Sequence, residues 1–192
     1  MAPDLTRAFV AVPCGEQLAT ALSRRLDAAA GREAVRWTHP RAWHLTLQFL
    51  GDWPADRLAA LRGGLGALAA DATPPLVPAG WGGFPDLRRP RVLFLQFEAA
   101  VPLIDLARRV SAASDAAWPD GPQDRRPVDP HLTLARVHKP LEDRQIKSLL
   151  DIDLNGMPVC PVERFCLLAS ALRPQGALHT ELASFALRKK GE

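Results

Sequence analysis

The sequence predicts a mixed α/β fold built as one compact unit of two related halves. The tetrapeptide HLTL occurs twice, at His44–Leu47 and at His131–Leu134. Each copy closes a series of strand, helix and loop signals, and 37 residues from Arg7 to His44 are matched by 40 from Arg91 to His131. Near-equal spacing of a repeated unit points to an internal duplication. The composition, 47% hydrophobic and 23% charged over 192 residues, is that of a packed globular chain and excludes a disordered or fibrous one.

The first half opens with TRAFVAVP, Thr6 to Pro13, a β-branched and apolar run closed by proline, which predicts a strand. Gly15 breaks it. From Glu16 to Ala30, Leu18, Ala21, Leu22, Leu26 and Ala29 recur at helical spacing, and Gly31 ends that helix. WHLTLQFL, Trp43 to Leu50, alternates: His44, Thr46 and Gln48 fall on one face, Leu45, Leu47 and Phe49 on the other. Gly51 is expected to stop this strand. Ala55 to Ala70 then carries a helical pattern broken near Gly63-Gly64.

Asp71 to Pro90 is rich in proline and glycine and predicts a long crossing with a short strand around Leu76 and Val77. RVLFLQFE, Arg91 to Glu98, reads as a strand. Pro102 to Trp118 reads as a helix with Leu103, Leu106, Ala107 and Val110 along one side. A polar loop, Pro119 to Pro130, leads into the strand HLTLARV, His131 to Val137. A short helix over Arg144 to Leu150 follows. Arg164 to Leu172 and Leu182 to Arg188 are the expected closing strands, around a turn at Pro174-Gln175-Gly176, with His179 in a terminal loop. The whole chain, 1–192, is expected to be one domain: a first repeat over about 6–70, a second over about 91–150, and closing strands within about 160–188.

A histidine two residues before a threonine on a strand sets an imidazole and a hydroxyl on the same face, roughly 6–7 Å apart. Imidazole ionises near neutral pH, so one ring can take a proton while another gives one. Hydrolysis of a phosphodiester needs both acts, on opposite sides of the phosphorus. His44 and His131 are therefore the candidate catalytic residues. Thr46 and Thr133 are candidate donors to the non-bridging phosphoryl oxygens. Arg136, five residues after His131, is a further candidate phosphate ligand, although on an unbent strand it would lie on the opposite face. Arg91, within the basic cluster Arg88-Arg89-Pro90-Arg91, is a candidate substrate contact against a local positive potential on a chain of net charge +3. His39 and His138 read as exposed, and Trp37, Trp43 and Trp81 as core.

No metal or other cofactor is expected, since no local spacing joins His44 or His131 to further ligands. Cys14, Cys160 and Cys166 lack CxxC spacing and an odd number cannot all pair, which favours a reducing compartment. Met1-Ala2-Pro3-Asp4 puts an acid where a signal peptide would carry basic residues, and no apolar stretch approaches the about 20 residues needed to span a bilayer. A cytoplasmic location is expected.

With both motifs in place, HLTLQFLG and PHLTLARV, the chain resembles the 2H phosphoesterase superfamily, defined by two His-x-Thr/Ser-x motifs. Within it the sequence is most similar to the RNA 2′,3′-cyclic phosphodiesterases, long called 2′-5′ RNA ligases. The likeness runs from about Thr6 to Leu187 and includes RAFVAVP, GGFPDLRRPRVLF and LLASALRPQGALHTELASFAL. The resemblance implies a bilobal α/β fold with pseudo-two-fold symmetry, in which two antiparallel sheets form a central groove and helices cover the outside. It implies His44 as proton donor to the departing ribose oxygen and His131 as the acceptor that activates water, leaving a 2′-phosphate. The residues alone equally allow reversed roles. His179 stands where such proteins commonly carry a tyrosine, which makes it a candidate substrate contact.

The expected substrate is RNA ending in a 2′,3′-cyclic phosphate, handled by a monomer with no membrane and no obligate protein partner. Any ligation would be the ATP-independent reverse of phosphodiester cleavage, joining a 2′,3′-cyclic end to a 5′-hydroxyl through a 2′-5′ bond. ATP-dependent ligation is disfavoured, because the chain has neither a Gly-Lys pair for a P-loop nor a Lys-x-Asp-Gly segment. The rival expectations are a non-catalytic RNA-end binding module, and the same chemistry on a small cyclic nucleotide or a 2′-5′ oligonucleotide.

Overall fold

The computed structural model describes residues 4–27, 35–68, 73–98, 101–122, 124, 126–173 and 176–187. Eight strands and four α-helices follow one another as β1 (Leu5–Pro13), α1 (Glu16–Asp27), β2 (Val35–Trp37), β3 (His44–Pro54), α2 (Leu58–Gly66), β4 (Pro78–Phe84), β5 (Val92–Phe97), α3 (Val101–Ala117), β6 (His131–Val137), α4 (Asp143–Leu150), β7 (Arg164–Arg173) and β8 (Gly176–Ala186). All named strand pairs are antiparallel. The sheet order is β4-β5-β6-β3-β1-β7-β8, with β2 also paired to β6.

Two half-sheets are visible in this order. One holds β4, β5, β6 and β2, the other β3, β1, β7 and β8, and the register pair Leu45–Leu132 joins β3 to β6 between them. Both leucines are fully buried, so the seam is fastened from beneath by apolar packing. Each contributes roughly 1.5–3 kcal/mol through burial. The half-sheets do not coincide with the halves of the sequence: β2 crosses to β6, and the closing hairpin β7–β8 returns to β1.

The helices lie on one face. Leu18, Leu22 and Leu26 of α1, Leu61 and Leu65 of α2, and Leu103, Leu106, Ala107 and Val110 of α3 share a core with Val10, Val12, Leu45, Leu47, Leu132 and Leu134. The spacing of three and four that predicts each helix is the spacing that supplies this face. A smaller cluster of Val35, Leu93, Ala135 and Leu149 lies under α4. The other face of the sheet is left to the groove.

Several elements differ from the sequence expectation. β3 does not end at Gly51; that glycine takes φ 69° and the strand runs on to Pro54. Positive φ is open to glycine without a Cβ clash, so here it bends the strand and does not end it. The helix expected over 55–70 is a 3₁₀ turn, Ala55–Arg57, followed by α2, which passes unbroken through Gly63-Gly64; positions 69 and 70 lie outside the described residues, as do 28–31 at the end of the first predicted helix. The strand expected at Leu76 and Val77 is a single bridge from Leu76 to Cys160, and the true strand is β4, PAGWGGF. Its glycines conceal it, yet Gly82 is required: a Cβ there would sit 2.0 Å from the Phe94 ring. β2 has no counterpart in the sequence expectation. β8 begins at Gly176, so His179 is in a strand and not in a loop, while Pro174-Gln175 lie outside the described residues.

A candidate active site between two matched histidines

His44 and His131 are the first residues of β3 and β6. The turn Pro40–Ala42 brings the Ala42 carbonyl to 2.7 Å from His44 Nδ1, and Asp129, just before Pro130, presents its carbonyl 2.7 Å from His131 Nδ1. A carbonyl oxygen can only accept, so in both neutral rings Nδ1 carries the hydrogen and Nε2 keeps the lone pair. The two rings are thus set in the same tautomer by the same local device.

Extending the Leu45–Leu132 register by one residue each way sets His44 across from Thr133, and Thr46 across from His131. From strand spacing and rise, the two histidine Cα atoms are then roughly 8 Å apart on a diagonal. All four side chains are half-buried on the face opposite Leu45 and Leu132. Imidazoles and hydroxyls alternate around one site.

Each imidazole is flanked by two rings. His44 lies 4.9 Å from Phe9 of β1 and 5.3 Å, edge-on, from His179 of β8. His131 lies 4.9 Å from Phe94 of β5 and 5.1 Å, edge-on, from Phe84 of β4. The close seat of Phe94 over Gly82 therefore serves the position of His131. His179 also meets Phe9 at 4.9 Å, and its Nδ1 is enclosed without a hydrogen-bond partner. Burial lowers the His44 pKa to about 4 against an opposing pull from the Ala42 hydrogen bond, and positive charge on His179 or His131 lowers it further. Burial also lowers His179.

Register shifts move two side chains onto the groove face that simple alternation assigns elsewhere. Between Val10 and Ala11 and between Ala8 and Phe9, β3 carries extra residues against β1. Phe49 therefore pairs with Phe9 at a ring separation of 6.4 Å and is 52% exposed, where strict alternation puts it in the core. The Arg126 guanidinium lies over its ring at 5.6 Å and is itself bound to Asp124 at 2.8 Å. A second shift, between Leu93 and Phe94, inserts Leu134 into β6. Leu134 and Ala135 are both buried and Arg136 emerges exposed on the side of Thr133. The bend that the unbent-strand reading lacked is thus present.

Arg91 is exposed just before β5; its carbonyl accepts from Val137 N, and its N–H donates to the Phe84 carbonyl. His39 caps the turn before β3, its Nδ1 accepting from Arg41 N–H, and His138 is exposed. Phe9, Phe49, Phe84 and Phe94 are the site residues that sequence reasoning missed. Phe9 and Phe94 stand at related places in RAFVAVP and RVLFLQF, which was the available signal. Among the described residues no group of three His, Cys, Asp or Glu side chains gathers as a metal site, and the three cysteines are free. Among them, too, no helix is long and apolar enough to cross a membrane.

Comparison with known proteins shows the family of the chain. Residues 10–94 match the family model described as LigT like phosphoesterase. The RNA 2′,3′-cyclic phosphodiesterase of Thermus thermophilus is 32% identical over 95% of this chain and 90% of its own length. That of Bacillus subtilis is 32% identical over 78% and 90%. That of Geobacillus stearothermophilus is 34% identical over 73% of this chain, which spans only 46% of that longer protein. The crystal structure of TT0787 from Thermus thermophilus superposes with a TM-score of 0.76 at 29% identity, covering 96% of this chain and 99% of the other. E. coli LigT in its apo form, at 24% identity and a TM-score of 0.73, shares the fold. On a relative 32% identical over 95% of this chain, and with the model matched over residues 10–94, the chain belongs to the LigT-like phosphoesterases.

Proposed function

We propose that this protein hydrolyses the 2′,3′-cyclic phosphate at RNA ends to a 2′-phosphate. One observation carries the reading: two imidazoles in the same tautomer share one groove with their Nε2 atoms uncommitted, and two threonine hydroxyls lie between them. His44, in its protonated form, gives its Nε2 proton to the departing ribose O3′ while the neutral His131 Nε2 takes a proton from the attacking water. Thr46 and Thr133 donate to the non-bridging oxygens, where charge accumulates. Arg136 and Arg91 add positive potential at the rim, and the exposed Phe49 ring offers a stacking surface for a base. His179 bounds the His44 side of the groove.

The reaction asks for no metal and no other cofactor, because both proton transfers are assigned to side chains. With a 5′-hydroxyl in place of water, the same attack on phosphorus expels O3′ and joins the two RNA ends through a 2′-5′ bond without ATP. RNA is the proposed partner, the cytoplasm the proposed compartment and the monomer the proposed working unit. The names of the curated relatives support the substrate class.

The test is a short RNA with a 2′,3′-cyclic terminus, incubated in excess chelator with wild type, His44→Ala and His131→Ala. Wild type should yield a 2′-phosphate, and each variant should lose roughly 10²- to 10⁴-fold in kcat while remaining folded by circular dichroism. Binding without turnover by wild type over a range of pH would overturn the proposal in favour of an end-binding module.

A further inference from the structure

Two of the three cysteines meet on the helix side of the sheet. Cys14 follows the end of β1, and its N–H donates to the Trp43 carbonyl at 3.0 Å, one residue before His44. Cys160 lies between α4 and β7 and is held to Leu76 by backbone hydrogen bonds of 2.8 and 2.9 Å. Alternation along β1 puts Cys14 on the face of Val10 and Val12, and both cysteines belong to the core that α1 covers.

The segments that carry them touch. A Cβ on Gly15 would lie 2.5 Å from Pro161 Cδ, so the residues after Cys14 and after Cys160 abut as closely as a glycine permits. The two sulfurs are in hydrogen-bonding contact, and the Cys160 sulfur also accepts from the Gly15 N–H. Gly15 opens α1, its carbonyl accepting from Ala19 N–H at 3.0 Å, so the Cys160 sulfur lies at the positive end of that helix. The Cys14 S–H donates to the Cys160 sulfur, which holds the Cys14 thiol above its ordinary range and the Cys160 thiol below it. Cys160 is fully buried, whereas Cys14 is half-buried and open to small solutes. Cys166 is engaged elsewhere, with Arg164 Nη1 at 2.9 Å from its sulfur and Glu181 accepting from it at 3.3 Å.

We propose that Cys14 and Cys160 are an oxidation site, closing to an intramolecular disulfide in reaction with a hydroperoxide and tying the end of β1 to the segment before β7. Cys14 attacks one peroxide oxygen and the O–O bond breaks. Cys14 becomes a sulfenic acid, and its thiol proton leaves with the displaced hydroxide as water. The Cys160 sulfur then attacks the Cys14 sulfur, and its proton leaves with the departing hydroxyl as a second water. Two thiols have lost two electrons and two hydrogens to one peroxide. The bond secures the strand end that pairs with His44, since Pro13 is the register partner of that histidine. It lies on the face opposite the groove, so its formation is independent of which substrate the groove takes.

The experiment takes the full chain, Cys166→Ser and Cys14→Ser, reduced and then freed of reductant. A small excess of hydrogen peroxide is added, and the remaining thiols are trapped with N-ethylmaleimide. Wild type and Cys166→Ser should lose two hydrogens by intact mass, with Cys14 and Cys160 untrapped and joined in one peptide pair, and dithiothreitol should restore both thiols. The urea midpoint of the oxidised form should lie about 1 M above that of the reduced form, because the bond closes a loop of most of the chain in the unfolded state. Cys14→Ser should form no internal disulfide and show no such rise. Trapping of both Cys14 and Cys160 after peroxide would overturn the site. So would a disulfide that includes Cys166 or a second chain, or a sulfinic acid at either sulfur without cross-linking.

Discussion

Inorganic phosphate should raise the pKa of His44 from about 4 to near 7. Burial holds the free ring neutral at physiological pH, yet the proposed mechanism needs it charged so that it can donate a proton. The substrate itself supplies the remedy. A single negative charge about 4 Å from the ring, at an effective dielectric of about 20, interacts with an imidazolium by about 4 kcal/mol. At 1.36 kcal/mol per pH unit, that moves the midpoint up by about three units. The assay is a nuclear magnetic resonance titration of protein labelled in its histidine rings, with and without saturating phosphate, with His44→Gln to assign the signal. A His44 midpoint near 6.5 in the free protein, or one that stays near 4 with phosphate bound, would refute this electrostatic account.

Two further outcomes follow from the same ring cluster. The folded protein holds the His44 proton only below about 4, whereas an unfolded histidine takes it near 6.5, so between these values the unfolded chain carries the extra proton. Stability is therefore full above pH 6.5 and declines as pH falls towards 4, by on the order of 2 kcal/mol at pH 5; urea unfolding at pH 7 and pH 5 should show this drop, and His44→Gln should flatten it. His179→Phe should raise the urea midpoint by an amount worth about 1 kcal/mol, because it removes the enclosed Nδ1 that lacks a partner and keeps the aromatic edge against Phe9 and His44. A lower midpoint would mean that the nitrogen contributes to the fold.

The sequence revealed what repeats and what alternates. Two HLTL segments named the candidate pair, His44 and His131, since a period of two requires His44 to share a face with Thr46 and His131 with Thr133. Leucines at helical spacing located α1 and α3 to within a few residues. β4 escaped because its glycines carry no strand propensity, and the reason for one of them, the Phe94 ring over Gly82, exists only after β5 has paired with it. β2 escaped because three residues are too few to show a period.

What the sequence by itself determined is the chemistry at each strand: which side chains can move a proton, which can hold a phosphoryl oxygen, and which face of the strand bears them. Only the tertiary structure decided how those faces meet. The Leu45–Leu132 seam sets one histidine diagonally from the other, and the return of β7–β8 to β1 brings His179 against His44. Single extra residues in β3 and β6 turn Phe49 and Arg136 into the groove. A bulge is a property of two paired strands, so it cannot be read from either strand alone, and it reverses the facing of the residues beyond it.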